Sequence, residues 1–247
     1  MRTTRFFTDQ ALTSGEQMTM QGGAAQHLGR VLRARVGDTA ILFNGDGHEF
    51  TATITALGKH EVQLTLGEAC SPDTESAVHT VLGLCLSKGD RFDWALQKAT
   101  EVGVGSIVPL YSERVDFSIP EDRLSRRIQH WQQVAVSASE QSGRVRVPSV
   151  ATPLLLANWV ETVSADEKWV LHCADMQSNT VLSRATRVPE SAALLIGPEG
   201  GLTEAEVSAA AGHGFTPLQL GPRVLRTETA PVVALTVLAI QWGEILG

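Results

Sequence analysis

The chain has 247 residues, 43% of them hydrophobic and 19% charged, with a formal net charge of −7. That composition is ordinary for a folded protein and excludes a disordered chain, while the acidic balance excludes a non-specific binder that coats nucleic acid through many phosphate contacts. No apolar run approaches the roughly 20 residues a membrane span needs, and the N-terminus MRTTRFFTDQ lacks the apolar core of a signal peptide, so a soluble, cytoplasmic protein with no membrane partner is expected.

The start of the chain reads as β-rich. A short helix over about 24–33 sets His27, Arg30 and Arg33 at i, i+3 and i+6, roughly one face, and turns Leu28, Val31 and Leu32 inward. The turn Gly37-Asp38 leads into a strand over 39–44. Gly45-Asp46-Gly47 is a hairpin turn, and the return strand over 49–57 alternates Phe50, Ala52, Ile54 and Ala56. Residues 62–66 alternate again. The pattern stops at Cys70-Ser71-Pro72-Asp73, which divides the chain into a small domain over 1–72 and a larger one over 73–247.

From residue 78 strands and helices take turns. A strand over 78–87 is followed by a helix over 93–102, stopped by Gly103. After a strand over 106–110 comes the longest helix, over 121–142. Its stripe is Leu124, Ile128, Trp131, Ala135 and Ala138, and its polar side carries Arg123, Arg126, Arg127 and His130. Strands over 168–173 and 192–196, a helix over 204–211, a strand over 216–220 and a helix over 231–246 complete an α/β pattern with a parallel sheet. The last helix is apolar almost all round: Val232, Val233, Leu235, Val237, Leu238, Ile240, Trp242, Ile245 and Leu246. Such a helix is buried on several sides, either inside the fold or against a second subunit. Cys70, Cys85 and Cys173 are far apart and form no CxxC or Cys/His cluster, so free thiols are expected, with neither a disulfide framework nor a metal site.

Three loops stand out. Ile196-Gly197-Pro198-Glu199-Gly200-Gly201-Leu202-Thr203 leaves a strand and opens a helix, with Thr203 and Glu206 spaced as a capping box. It is either a tight turn or a ligand loop, since its glycines let a ligand approach the backbone at the carboxyl ends of the strands. Leu220 to Pro231, LGPRVLRTETAP, also joins a strand to a helix, which Thr227 or Thr229 could cap. Glu228 suits a helix N-terminus, but Arg226 does not unless it meets an anion or a polar substrate. Glu140-Gln141-Ser142-Gly143-Arg144 ends the long helix. Neither GxGxxG nor a P-loop occurs.

In order along the chain, IGPEGG and LGPRVLRTETA resemble the signature of the SPOUT methyltransferases, and more narrowly of the RsmE family, which methylates N3 of a uridine in bacterial 16S ribosomal RNA. His27-Leu28-Gly29-Arg30-Val31-Leu32-Arg33 is similar to that family's HxxRVLR motif. So are the segments from Ser87 to Arg91 and Gln97 to Gly103, Ser112-Glu113-Arg114 and Glu140 to Arg144, in their places. Where family members often have His-Pro, this chain has His172-Cys173, and Leu202 replaces a frequent Phe.

The resemblance implies a PUA-like β-barrel for RNA docking, then an α/β domain whose chain threads a trefoil knot, in a homodimer formed through the C-terminal helix. It implies S-adenosyl-L-methionine as cofactor, held by His172, Leu195, Ile196, Gly197, Glu199, Gly200, Leu220, Gly221, Leu225, Arg226 and Thr227. The 16S RNA of the small ribosomal subunit would be docked by Arg30, Arg33, Lys88, Arg114 and Arg144. Uridine N3 bears a proton and is a poor nucleophile until that is lost. Arg226 beside a base carbonyl would stabilise the developing charge, and Glu228 or Glu140 would take the proton. A SPOUT enzyme acting on tRNA or large-subunit RNA, and a non-catalytic ribosome assembly factor, remain as alternatives.

Overall fold

The computed structural model describes residues 4–172 and 187–245, with Arg30 and Val31 described in backbone only. Two compact units emerge: Met1–Glu75 with Ser139–Val147, and Ser76–Ala138 with Pro148–Gly247.

The alternation read from the first unit places it in one sheet. Its strands are β1 (Arg5–Phe7), β2 (Gln17–Gln21), β3 (Thr39–Phe43), β4 (Glu49–Leu57) and β5 (Glu61–Cys70), in the order β1-β3-β4-β5-β2. β1 runs parallel to β3, and the remaining pairs are antiparallel. In β4 the inward positions are Phe50, Ala52 and Ile54, as a period of two requires. They share a core with Phe6, Met20, Leu28, Leu42 and Leu64. The expected helix over 24–33 is instead α1 (Gly22–Gln26) followed by a π-helical turn, His27–Val31. Gly29 weakens the α-helical alternative there, and the Leu32 N–H reaches back to the His27 carbonyl at 3.0 Å. The segment 139–147 is tied into this unit by Glu75. One carboxylate oxygen accepts from the backbone N–H groups of Val145 and Arg146, the other from the Arg144 guanidinium at 2.7 Å.

The second unit contains β6 (His79–Cys85), α2 (Arg91–Glu101), β7 (Ser106–Tyr111) and α3 (Glu121–Ser142), whose last residues belong to the first unit. Then come β8 (Ser149–Val150), β9 (Leu154–Leu155), α4 (Leu156–Thr162), β10 (Glu167–Leu171), β11 (Ser191–Ile196), α5 (Glu204–Gly212), β12 (Thr216–Leu218) and α6 (Thr229–Trp242). The sheet order is β12-β10-β11-β6-β7-β8, with β9 also on β7, and every pairing is parallel. Parallel sheets are covered on both faces, and β11 is accordingly buried from Ala192 to Ile196. One core gathers Trp159, Val160, Leu195, Phe215 and Leu110. A second gathers Val78, Ala192, Leu238 and Trp242. On α3, Trp131, Ala135 and Ala138 of the expected stripe are buried, and Trp131 packs on Phe92 of α2 with ring centroids 4.6 Å apart.

α6 differs from the expected 231–246. It begins at Thr229 and stops at Trp242, because Gly243 turns left-handed (φ +82°) and lets Glu244 N–H bond back to the Ala239 carbonyl. The Glu244 carboxylate then accepts from Ser76 Oγ and Val78 N–H, at the entry to β6. Leu246, expected on this helix, lies outside the described residues, as do Cys173 and the 173–186 part of the connection from β10 to β11. β12 ends at Leu218, two residues before the expected end. Among the described residues no helix is long and apolar enough to cross a membrane.

Candidate active site

The carboxyl ends of β10, β11 and β12 face one cavity of about 570 Å³. Leu171 and His172 contribute from β10, Ile196 from β11 and Leu218 from β12, while the two loops singled out in the sequence supply most of the rest. That is where an open parallel sheet offers its ligand site.

The glycine-rich loop doubles back sharply. A Cβ on Gly197 would lie 2.9 Å from Leu202 Cγ, so the close approach of Leu202 needs glycine there. Gly201 N–H closes a turn onto the Pro198 carbonyl at 2.8 Å. The expected capping box is formed: Thr203 Oγ1 accepts from Glu206 N–H at 3.2 Å, and the Glu206 carboxylate accepts from Thr203 N–H at 2.8 Å. Three groups from other connections hold the loop and its helix. Arg91 Nη1 donates to Glu199 Oε1 at 2.7 Å, Arg114 Nη1 to the Gly200 carbonyl at 2.6 Å, and Glu113 N–H to Glu206 Oε1 at 2.8 Å. Burial works to raise the Glu199 carboxyl, but hydrogen bonds from its own backbone, from Arg91 and from the Lys88 backbone outweigh it and hold the group below the usual value.

The second loop brings Leu220, Gly221, Arg223, Val224, Leu225, Arg226, Thr227 and Glu228 to the cavity. Its end is set by a turn in which Thr229 and Ala230 N–H both donate to the Arg226 carbonyl at 2.9 Å. Neither Thr227 nor Thr229 caps α6. Glu228 occupies that position without a side-chain cap, because the helix starts ahead of its apolar run. The Arg226 side chain is 80% exposed and its Nη1 lies 3.9 Å from Glu228 Oε1. The Glu228 side chain is only 17% exposed, and its Oε2 is shut from solvent with no hydrogen-bond partner among the described residues. A buried acceptor left without a donor is unusual, and other atoms of the same residue line the cavity.

Of the expected cofactor residues, His172, Ile196, Gly197, Glu199, Gly200, Leu220, Gly221, Leu225, Arg226 and Thr227 line this cavity. Leu195 does not; it is wholly buried in the core with Cys85 and Trp159. Glu140 sits in the first unit, where Oε1 accepts from Phe7 N–H at 2.9 Å. Burial pushes its carboxyl above the usual glutamate value, partly offset by the Phe7 N–H and by the charges of His27 and Arg5. Among the residues expected to dock RNA, Arg114 lines the cavity, and Lys88 is exposed and paired with Asp116 at 2.6 Å. Arg33 is exposed in a left-handed conformation, φ +52°. Arg144 is buried against Glu75, and the Arg30 side chain lies outside the described residues. Arg91 and Arg223 were not expected in the cavity. Arg91 could have been found by the reasoning that flagged Arg226: it is the first residue of α2, where a cation is unfavourable unless it meets an anion.

A profile of RNA methyltransferase domains matches residues 74–239, and one of RNA methyltransferase PUA domains matches residues 21–67. Relatives named ribosomal RNA small subunit methyltransferase E include one from Synechocystis, 34% identical over 221 residues (88% of this chain, 71% of the relative). Another, from Buchnera aphidicola of Acyrthosiphon pisum, is 32% identical over 216 residues (87% and 84%). Among solved structures, a methyltransferase from Legionella pneumophila in complex with SAM superposes with a TM-score of 0.90 at 37% identity, covering 97% of this chain and 98% of that one. A ribosomal RNA small subunit methyltransferase E from Neisseria gonorrhoeae bound to S-adenosyl methionine gives 0.88 at 33% identity, with 98% of both chains covered.

Proposed function

The chain belongs to the ribosomal RNA small subunit methyltransferase E family, and from that premise we propose that it transfers a methyl group from S-adenosylmethionine to N3 of one uridine in small-subunit 16S ribosomal RNA. The observation that carries this reading is the cavity between the two loops, which Arg226 and Glu228 both line. Its volume is in the range of small-molecule sites. Leu171, Ile196, Leu220 and Leu225 offer apolar surface for an adenine, and the glycines expose backbone groups.

Bound there, the cofactor supplies a methyl group already activated on a sulfonium. The protein's own task is to hold the base and to free N3 of its proton. Glu228 accepts that proton: it lines the cavity, and its Oε1 lies 3.9 Å from Arg226 Nη1. Glu140, the other carboxylate considered, is engaged by Phe7 N–H. Arg226, at the edge of the cavity with its guanidinium largely free in solvent, meets the base carbonyl on which negative charge develops. Positioning of the two reactants supplies much of the remaining acceleration. Arg30, Arg33, Lys88 and Arg114 are the cations assigned to the RNA. The protein acts in the cytoplasm as a homodimer joined through α6.

Labelled S-adenosylmethionine offered to small ribosomal subunits that lack the modification, followed by nucleoside mass analysis, tests this. The expected product is 3-methyluridine at one site. Transfer to tRNA or large-subunit RNA instead would overturn the substrate and keep the cofactor. No transfer to any RNA by cofactor-loaded protein would favour an assembly factor over an enzyme.

A further inference from the structure

We propose that Arg91 is a positioning residue for methyl transfer: through Glu199 it sets the glycine-rich loop in its binding shape before the cofactor arrives. The proposal rests on the reading of the cavity as the cofactor site.

Three of the five residues from Gly197 to Gly201 are glycine, which loses more conformational freedom on ordering than any other residue. Within the loop itself one turn bond, Gly201 N–H to the Pro198 carbonyl, opposes that freedom. The capping box fixes only the start of α5, beyond the glycines. The remaining restraint comes from the connections after β6 and β7. Arg91 holds the Glu199 carboxylate at 2.7 Å. Arg114 holds the next residue by its carbonyl and lays its stem over it, so that a Cβ on Gly200 would come within 3.4 Å of Arg114 Cδ.

The two arginines act differently. Arg114 grips backbone, which any residue at 200 would present. Arg91 grips by charge and reads the identity of residue 199. Its place in α2 argues the same way: a cation at the first helical position opposes the helix dipole, and Asp90 gives the helix no side-chain cap. The position is unfavourable for α2 and is explained by the carboxylate it reaches. Arg91 and Glu199 both border the cavity, and the side-chain hydrogen bond of Arg91 goes to the loop, so its influence on the reaction is assigned to the loop's shape.

The test is calorimetric binding of S-adenosylmethionine, paired with steady-state kinetics on the RNA substrate. The variants are Arg91→Ala, Arg91→Lys, Glu199→Gln and the double variant Arg91→Ala/Glu199→Gln. An ion pair this exposed contributes modestly, so Arg91→Ala should raise the cofactor Kd and KM about two- to fivefold and leave kcat at saturating cofactor within about twofold. Arg91→Lys should restore most of the loss, and the double variant should be no worse than the worse single one. Unchanged cofactor affinity in Arg91→Ala, or losses that simply multiply in the double variant, would overturn the proposal. Should Arg91→Ala fold poorly, the Arg91→Lys and Glu199→Gln pair carries the same comparison. Wild-type protein that does not bind the cofactor at all would instead overturn the reading of the cavity, a result distinct from normal binding in all variants.

Discussion

Two carboxylates, Glu140 and Glu228, have equal standing as proton acceptors in the sequence, and their surroundings separate them. Glu228 lines the cavity with Arg226 beside it. Glu228→Gln preserves shape and removes the base, so single-turnover methyl transfer should fall by roughly 10²- to 10⁴-fold while calorimetry shows unchanged cofactor binding. A wild-type rate would remove Glu228 from the chemistry. Glu140 makes a different prediction. Burial raises its carboxyl above the usual 4.5 in the folded chain, despite the Phe7 N–H. A group with a raised folded pKa contributes its stability below the unfolded value and loses it as pH climbs through the folded one. Glutamine keeps an oxygen for Phe7 and does not titrate. Urea unfolding at a series of pH values should therefore show Glu140→Gln gaining on the wild type as pH rises through and above the usual glutamate range. A constant gap would show that folding leaves this carboxyl unshifted, and a closing one that the ionised form is the better tolerated.

At the scale of elements, α5 owes its entry angle to Thr203 and Glu206, which also set where the glycine loop ends. Thr203→Ala removes one half of the box and should lower unfolding stability by about 1 kcal/mol, read from the denaturation midpoint of the second unit; no shift would mean that Glu113 and Glu206 hold the helix unaided. That box was legible in the sequence because both partners lie within three residues. The alternation of β4 and the apolar run of β11 were legible for a similar reason, being periodic over local stretches. β1 and β2 were not. Their pairings, Phe6 with Leu42 and Met20 with Val62, join distant parts of the chain, and β1 has only three residues. α4, with seven residues, is too short to show a helical period. The candidate site divides in the same way. Its two glycine-bearing loops announce themselves locally, whereas Arg91 and Arg114 reach the loop across 108 and 86 residues, a distance no spacing rule spans.

For the whole molecule the open question is what α6 faces. Its buried residues, Ala234, Leu235, Leu238 and Trp242 among them, cover the side turned to its own unit. Val233, Val237 and Ile240 succeed one another at spacings of four and three on another side, none of them buried, with Ile240 42% exposed. An apolar stripe that stays partly in water is what a subunit interface would cover. Two copies joined by a twofold axis would present the same stripe to each other. Light scattering should then return twice the 26.5 kDa of one chain, with a melting temperature that rises with protein concentration. Ile240→Glu sets a charge on that stripe without entering the unit's own core. It should give the single-chain mass with an unchanged far-UV spectrum. A wild-type mass of one chain, or a dimer that survives Ile240→Glu, would move the interface away from α6, and because the cavity loop runs straight into this helix at Thr229, cofactor affinity measured on the same variant would report whether pairing also supports the site.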